Sequence, residues 1–136
     1  MKGRILAIDF GEKRTGLAVT DPLQLIASGL TTVLTSDLIP YLSQYIDQEK
    51  VCLFVVGEPK QMNYKASQSE PLIQSFLKKL ERQFPDIPIT RVDERFTSKL
   101  AFKTMIDGGL SKKQRQNKSL IDQISATIIL QTYLNK

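Results

Sequence analysis

Histidine is absent from all 136 residues. That lack removes Ser–His and Cys–His catalysis and histidine-rich zinc sites. Cysteine is nearly absent as well: Cys52 stands alone, so no intrachain disulfide can form. It sits within Val51-Cys52-Leu53-Phe54-Val55-Val56, a setting for a small inert hydrophobe rather than a nucleophile. Long apolar runs are missing too, and no window approaches the roughly 18 consecutive apolar residues of a membrane span. The stretch Ile5-Leu6-Ala7-Ile8 after Met1-Lys2-Gly3-Arg4 is too short for a signal-peptide core and reads as a strand. The expected setting is the cytoplasm, with no membrane partner. Whatever chemistry exists must run on carboxylates, lysines, hydroxyls or a bound ion.

What is present is the make-up of an ordinary globular protein. Apolar residues are 41% and charged residues 24%, a balance that argues against a disordered chain or a fibre. The length suits one packed core. No internal repeat, low-complexity tract or linker divides the chain, so residues 1–136 are expected to form one domain. A net charge of +5 leans towards a polyanionic partner.

The apolar pattern changes along the chain. Arg4 to Asp9 reads as a strand, Phe10 to Arg14 as a turn, and Thr15 to Thr20 as a second strand. Asp21-Pro22 breaks the chain before a third strand at Ala27 to Leu34. Ser36 can cap a helix carrying Leu38, Ile39, Leu42, Tyr45 and Ile46, with Pro40 in its first turn. Val51 to Val56 is an unbroken apolar run, the mark of a strand buried on both faces. A second helix shows the stripe Leu72, Ile73, Phe76, Leu77 and Leu80. Pro85 and Pro88 end it, and Ile89 to Asp93 alternates as a fifth strand. A third helix is expected over 98–106, stopping at Gly108-Gly109, and a last one runs to about Leu134. Short links make the first three strands an antiparallel meander, and right-handed crossovers put the fourth beside the first. The expected fold is α/β, with a mixed five-stranded sheet of order 3-2-1-4-5 and helices on both faces. Ligands bind such sheets at the carboxyl ends of strands, which is where Asp9 falls.

Three groups of acids draw notice. Asp9 ends a buried strand and opens Asp9-Phe10-Gly11-Glu12-Lys13-Arg14-Thr15-Gly16; it is either a metal-binding carboxylate or a turn former. Its glycines would let backbone approach a phosphate. Asp93-Glu94-Arg95 closes the fifth strand; alternation lets only one of the two acids share Asp9's side, and Arg95 could pair with either. Asp122 lies in line with Ser125, Ala126, Ile129 and Tyr133 on the last helix, on or beside a core-facing stripe. An unpaired carboxylate there is costly, so it needs a salt bridge or a cation shared with Asp9. Small Ser125 and Ala126 would let this helix approach the sheet closely. Acids from three segments at one sheet edge make a hard oxygen site suited to Mg²⁺ or Mn²⁺. The matching chemistry is in-line attack of water on a phosphodiester.

These residues form a recognisable set. Asp9-Phe10-Gly11 with Lys13-Arg14, Gly16-Leu17-Ala18-Val19 and Asp21 resembles the opening signature of the YqgF/RuvX family. Gly57 and Pro59 resemble its Gly-x-Pro, and Asp93-Glu94-Arg95-Phe96-Thr97-Ser98 followed by Ala101 resembles its Asp-Glu-Arg motif. Lys118 to Asp122, then Ala126, Leu130 and Tyr133-Leu134, resemble its closing helix. The blocks span nearly the whole chain in order. The resemblance implies a ribonuclease-H-like fold related to Holliday-junction resolvases. It also implies a cytoplasmic, Mg²⁺- or Mn²⁺-dependent nuclease that matures the 5′ end of precursor 16S rRNA in ribosome biogenesis. Carried over by position, Asp9, Glu94 and Asp122 are the implied catalytic and metal-holding acids. Lys13, Arg14, Arg95 and Lys118 are the implied phosphate contacts. Lys112, Lys113 and Arg115, clustered with Lys118 just before the Asp122 helix, would add salt-sensitive, largely sequence-independent affinity. Glu58 departs from the family's apolar residue and is either a solvated loop acid or a partner or substitute for Glu94.

Three rivals bear on function. An actin-like or sugar-kinase half also opens with Asp-x-Gly but needs a second domain, for which 136 residues leave no room. A Holliday-junction resolvase uses the same acids on branched DNA and would require a symmetric homodimer, whereas a processing nuclease can act as a monomer. A non-catalytic RNA-binding assembly factor on ribosome precursors could keep the fold without the chemistry.

Overall fold

The computed structural model describes residues 3–58, 70–93 and 117–135. Strand β1 (Arg4–Asp9) is apolar on both sides because both sides are covered. Leu6 and Ile8 enter one core, while Ile5 and Ala7 enter the other. Strands β2 (Arg14–Thr20) and β3 (Ala27–Leu34) follow as an antiparallel meander. A 3-10 turn at Thr35–Asp37 leads into helix α1 (Leu38–Gln48). Strand β4 (Val51–Glu58) then lies parallel to β1. Helix α2 (Glu70–Gln83), strand β5 (Ile89–Asp93) and helix α3 (Lys118–Leu134) complete the described elements.

The sheet order is β3-β2-β1-β4-β5, as the sequence led us to expect. Short loops fold β2 and β3 back antiparallel, whereas the α1 crossover returns β4 parallel on the other side of β1. On one face, Leu38 and Leu42 of α1 and Ile73, Phe76 and Leu80 of α2 pack on Leu6, Ile8, Phe54 and Val56. On the other, Ala126, Ile129 and Leu130 of α3 pack on Ile5, Ala7, Ala18, Val55 and Val92. Each large apolar side chain so buried stabilises the fold by about 1.5–3 kcal/mol.

Local details differ from expectation in places. The chain enters the 3-10 turn at Thr35, so Ser36 lies inside that turn and caps nothing. Asp37 takes the N-cap position of α1 without a side-chain capping bond. Strand β4 runs two residues further than its apolar stretch, because Gly57 and Glu58 still pair with β5. The helix expected over 98–106 lies outside the described residues. Helix α3 ends at Leu134 as anticipated and is capped at its start by Asn117, whose side chain accepts a bond from the Leu120 amide at 3.2 Å.

The β2–β3 connection is held by a single carboxylate. Asp21 accepts from the amides of Ile26 at 2.7 Å, Leu25 at 2.9 Å and Leu23 at 3.1 Å. Gln24 takes a left-handed φ of 62° there, and its side-chain Nε2 donates to the Gly3 carbonyl at 3.0 Å. The Ile26 amide above all, helped by Leu25 and Leu23 against some loss of solvent, holds the Asp21 carboxyl below its ordinary value. A depressed carboxyl stabilises the fold above its unfolded pKa, and this contribution fades as pH falls through the folded one. Thermal melts at graded pH should therefore show a flatter acid limb below about pH 4 in Asp21→Asn than in the parent. An acid limb of unchanged steepness would show that this turn does not couple to folding.

Candidate active site

The site is built on the α3 side of the sheet. Ile5 and Ala7 pack against α3, and strand alternation puts Asp9 next on that side. Its cross-strand partner is Gly16 of β2; facing residues of an antiparallel pair share a side, with Cα atoms about 4.5–5.5 Å apart. A methyl group on Gly16 would overlap the backbone carbonyl of Asp122 and stand 3.0 Å from the Asp122 Cβ. Asp122 thus lies directly over Gly16, beside Asp9. Residues 113 positions apart in the chain are thus brought to the carboxyl end of β1.

Arg14 joins them. It opens β2 two residues before Gly16, on the same side of the strand, and its Nε donates to Asp122 Oδ2 at 2.9 Å. Its side chain is 36% exposed and that of Asp122 22%, so the pair sits at the rim of the core. Of the two explanations open for Asp122, the salt bridge is present.

The turn that delivers Arg14 is tightly pinned. A side chain at Gly11 would overlap the Arg14 carbonyl oxygen, so the chain can double back only on glycine. Thr35 Oγ1 donates to the Gly11 carbonyl at 2.7 Å, and the Thr35 amide donates to the Lys13 carbonyl at 2.9 Å. The hydroxyls of Thr15 and Thr35 lie 2.9 Å apart. Phe10 points the other way and stacks on Phe76 of α2, with ring centroids 4.8 Å apart. Thr35 was not among the sequence candidates, because an isolated threonine after a strand carries no signal of what it will pin. Two glycines make room here: Gly16 admits α3 and Gly11 closes the turn.

Lys13 is exposed in that turn. Lys118 opens α3 one turn before Asp122. Glu94, Arg95, Lys112, Lys113 and Arg115 lie outside the described residues. Among the described residues, no group of three acids, cysteines or histidines is close enough to hold a metal ion.

Glu58 belongs to the opposite face. Val92 packs on the α3 side, so Asp93 points away from it, and Glu58 is the register partner of Asp93. Glu58 lines a cavity of 620 Å³ under α2 with Gln74, Lys78, Glu81 and Arg91. Arg91 is fixed there by Glu70 Oε1 at 3.1 Å and by the Gly57 carbonyl at 2.9 Å. The sheet separates this cluster from Asp9.

Strand order and crossover pattern define a RuvC-like α/β fold. The chain superposes on Thermus thermophilus RuvC in complex with a Holliday junction substrate, with a TM-score of 0.60 and 13% identity, over 96% of this chain and 94% of that one. For another T. thermophilus RuvC structure the TM-score is 0.54 at 12% identity, over 97% and 96% of the two chains. At such identity the likeness concerns the fold alone. Residues 3–136 match the model of the family described as "RuvX: Holliday junction resolvase", and the chain belongs to the RuvX family. Its relatives include proteins from Flavobacterium psychrophilum, 60% identical over 98% of this chain and 97% of that one, and Christiangramia forsetii, 62% identical over 96% and 97%. A relative from Bacteroides thetaiotaomicron is 56% identical over 96% and 95%. Each bears the name "Putative pre-16S rRNA nuclease".

Proposed function

We propose that this chain is a metal-dependent nuclease that hydrolyses phosphodiester bonds and trims the 5′ end of precursor 16S rRNA in the cytoplasm. The observation that carries the reading is that Asp122 packs over Gly16, the register partner of Asp9, at the carboxyl end of the central strand. The donor set fits a hard divalent ion: carboxylate oxygens at the rim of the core, with neither imidazole nor thiolate beside them. Asp9 and Asp122 would hold Mg²⁺ or Mn²⁺. Glu94 would join them, as the resemblance of Asp93-Glu94-Arg95 to the family's motif implies. Such an ion, when bound, lowers the pKa of an attacking water and steadies the leaving oxygen. The protein's own share is to hold the carboxylates on two rigid elements and the phosphate in line. Lys13 and Arg14 at the turn, with Arg95, Lys112, Lys113, Arg115 and Lys118, would draw in and position the phosphates.

The names of the relatives favour RNA, while the family's description and the RuvC likeness keep branched DNA as a second reading. No helix among the described residues is long and apolar enough to cross a membrane, which suits a ribosome-precursor substrate. A labelled precursor 16S rRNA fragment and a four-way DNA junction, each incubated with Mn²⁺ or with chelator, distinguish the possibilities. We expect Mn²⁺-dependent cutting of the RNA on its 5′ side and little of the junction. Paired symmetric nicks in the junction alone would identify a resolvase acting as a homodimer. Binding of precursor RNA without cutting under any condition would identify an assembly factor.

A further inference from the structure

Arg14 stands where a cation is wanted. Its Nε is 2.9 Å from Asp122 Oδ2, and Asp122 lies over Gly16, the register partner of Asp9. Only Nε is used in that bond, and a guanidinium carries four further N–H donors on its terminal nitrogens. The backbone beneath it is fixed by the Gly11 turn and the Thr35 bonds, whereas the side chain is 36% exposed. Arginine therefore has a rigid base and a movable head. A divalent ion arriving at Asp9 meets an Asp122 oxygen that is already engaged and a like charge close by. A phosphate arriving on the substrate offers that guanidinium a bidentate partner of its own.

We propose that Arg14 is a positioning residue that holds Asp122 over Gly16 in the resting protein and is handed over to a substrate phosphate as the ion loads. The inference rests on the nuclease reading and goes beyond it. Ion and nucleic acid then bind with positive coupling, each favouring the other, because the phosphate draws off the group that competes with the ion. A simple phosphate contact would not change ion affinity in the absence of nucleic acid. A purely structural salt bridge would compete with the ion to the same extent whether or not nucleic acid is bound.

The test is Mn²⁺ binding to the full chain, followed by electron paramagnetic resonance or calorimetry with no nucleic acid present. Arg14→Gln is expected to bind Mn²⁺ about fivefold more tightly than the parent, the order of the competing ion pair's strength. Arg14→Lys, which keeps the charge, should stay close to the parent. Thermal melts in chelator confirm that each variant is folded. A second measurement needs no variant: a short phosphorothioate oligonucleotide should tighten Mn²⁺ binding by the parent. Unchanged or weaker Mn²⁺ binding in Arg14→Gln, with Asp9→Asn still losing the ion, would overturn the handover and leave the nuclease reading standing. No tightening by the oligonucleotide would overturn it as well. If Asp9→Asn and Asp122→Asn both bind Mn²⁺ as the parent does, the metal site and the handover fall together.

Discussion

Asp9→Asn is expected to leave the protein folded and to lower metal-dependent cleavage by a factor on the order of 10³. The substitution keeps the shape of the side chain, so the pairing of residue 9 with Gly16 and the packing of β1 should survive. It removes the negative charge from the carboxyl end of the central strand. Among the described residues that leaves one carboxylate at the site, Asp122, which is already bonded to Arg14. A divalent ion would then have to displace a guanidinium without help from Asp9. The matched control is Glu58→Gln. Glu58 is an acid at the end of the neighbouring strand, but it lies in the cavity under α2 on the other face. Its loss should change the cleavage rate by no more than about twofold, the scale of a surface substitution. Equal losses in the two variants would mean that the face of the sheet does not decide which acids matter.

Gly16→Ala should have the second largest effect, and through packing rather than charge. The added methyl would overlap the carbonyl group of Asp122. That neighbour is helix backbone packed against the sheet and cannot turn aside as a flexible side chain could. Either α3 lifts from the sheet or β2 bends, at a cost of about 1–3 kcal/mol for overpacking of this kind. A fall in Tm of about 5–15 °C is expected. Cleavage should fall further than stability alone would dictate, by about a hundredfold, because a shift near 1 Å in a catalytic group has that effect. Gly29→Ala supplies the contrast. Its nearest neighbours would be Gln123 at 3.4 Å and the Thr127 hydroxyl at 3.5 Å, ordinary contacts, so it should be nearly silent. Circular dichroism melts and single-turnover cleavage of both variants check the pair of expectations.

Much of this architecture was legible in the residues. The sheet order followed from two facts: short links between the first three strands and a helix-length crossover before the unbroken run Val51 to Val56. The place of Asp9 followed from its ending an apolar strand. The position of Asp122 followed from its phase with Ala126 and Ile129, both fully buried against the sheet. What could not be read was contact made at close range across long sequence distance. The sequence attributes the approach of α3 to small residues on the helix, yet the decisive room is made on the strand, at Gly16. Nothing local tells a glycine that closes a turn from one that admits a helix. The partner of Asp122 was equally hidden, since Arg14 is 108 positions away and looks like any basic residue in a turn. Glu58 shows the opposite limit: one residue of strand parity sends it to the far face, and parity near a strand end depends on an irregularity at Arg4 and Ile5 that no composition signal marks.

The central claim is that Asp9 and Asp122 share a divalent ion on the α3 face. Crystals soaked in Mn²⁺ and measured at the manganese absorption edge test it most directly. The account predicts an anomalous peak in contact with the carboxylates of Asp9 and Asp122, and its loss in Asp9→Asn crystals treated alike. A peak held instead by Glu58, or full Mn²⁺ occupancy that ignores Asp9, would contradict it.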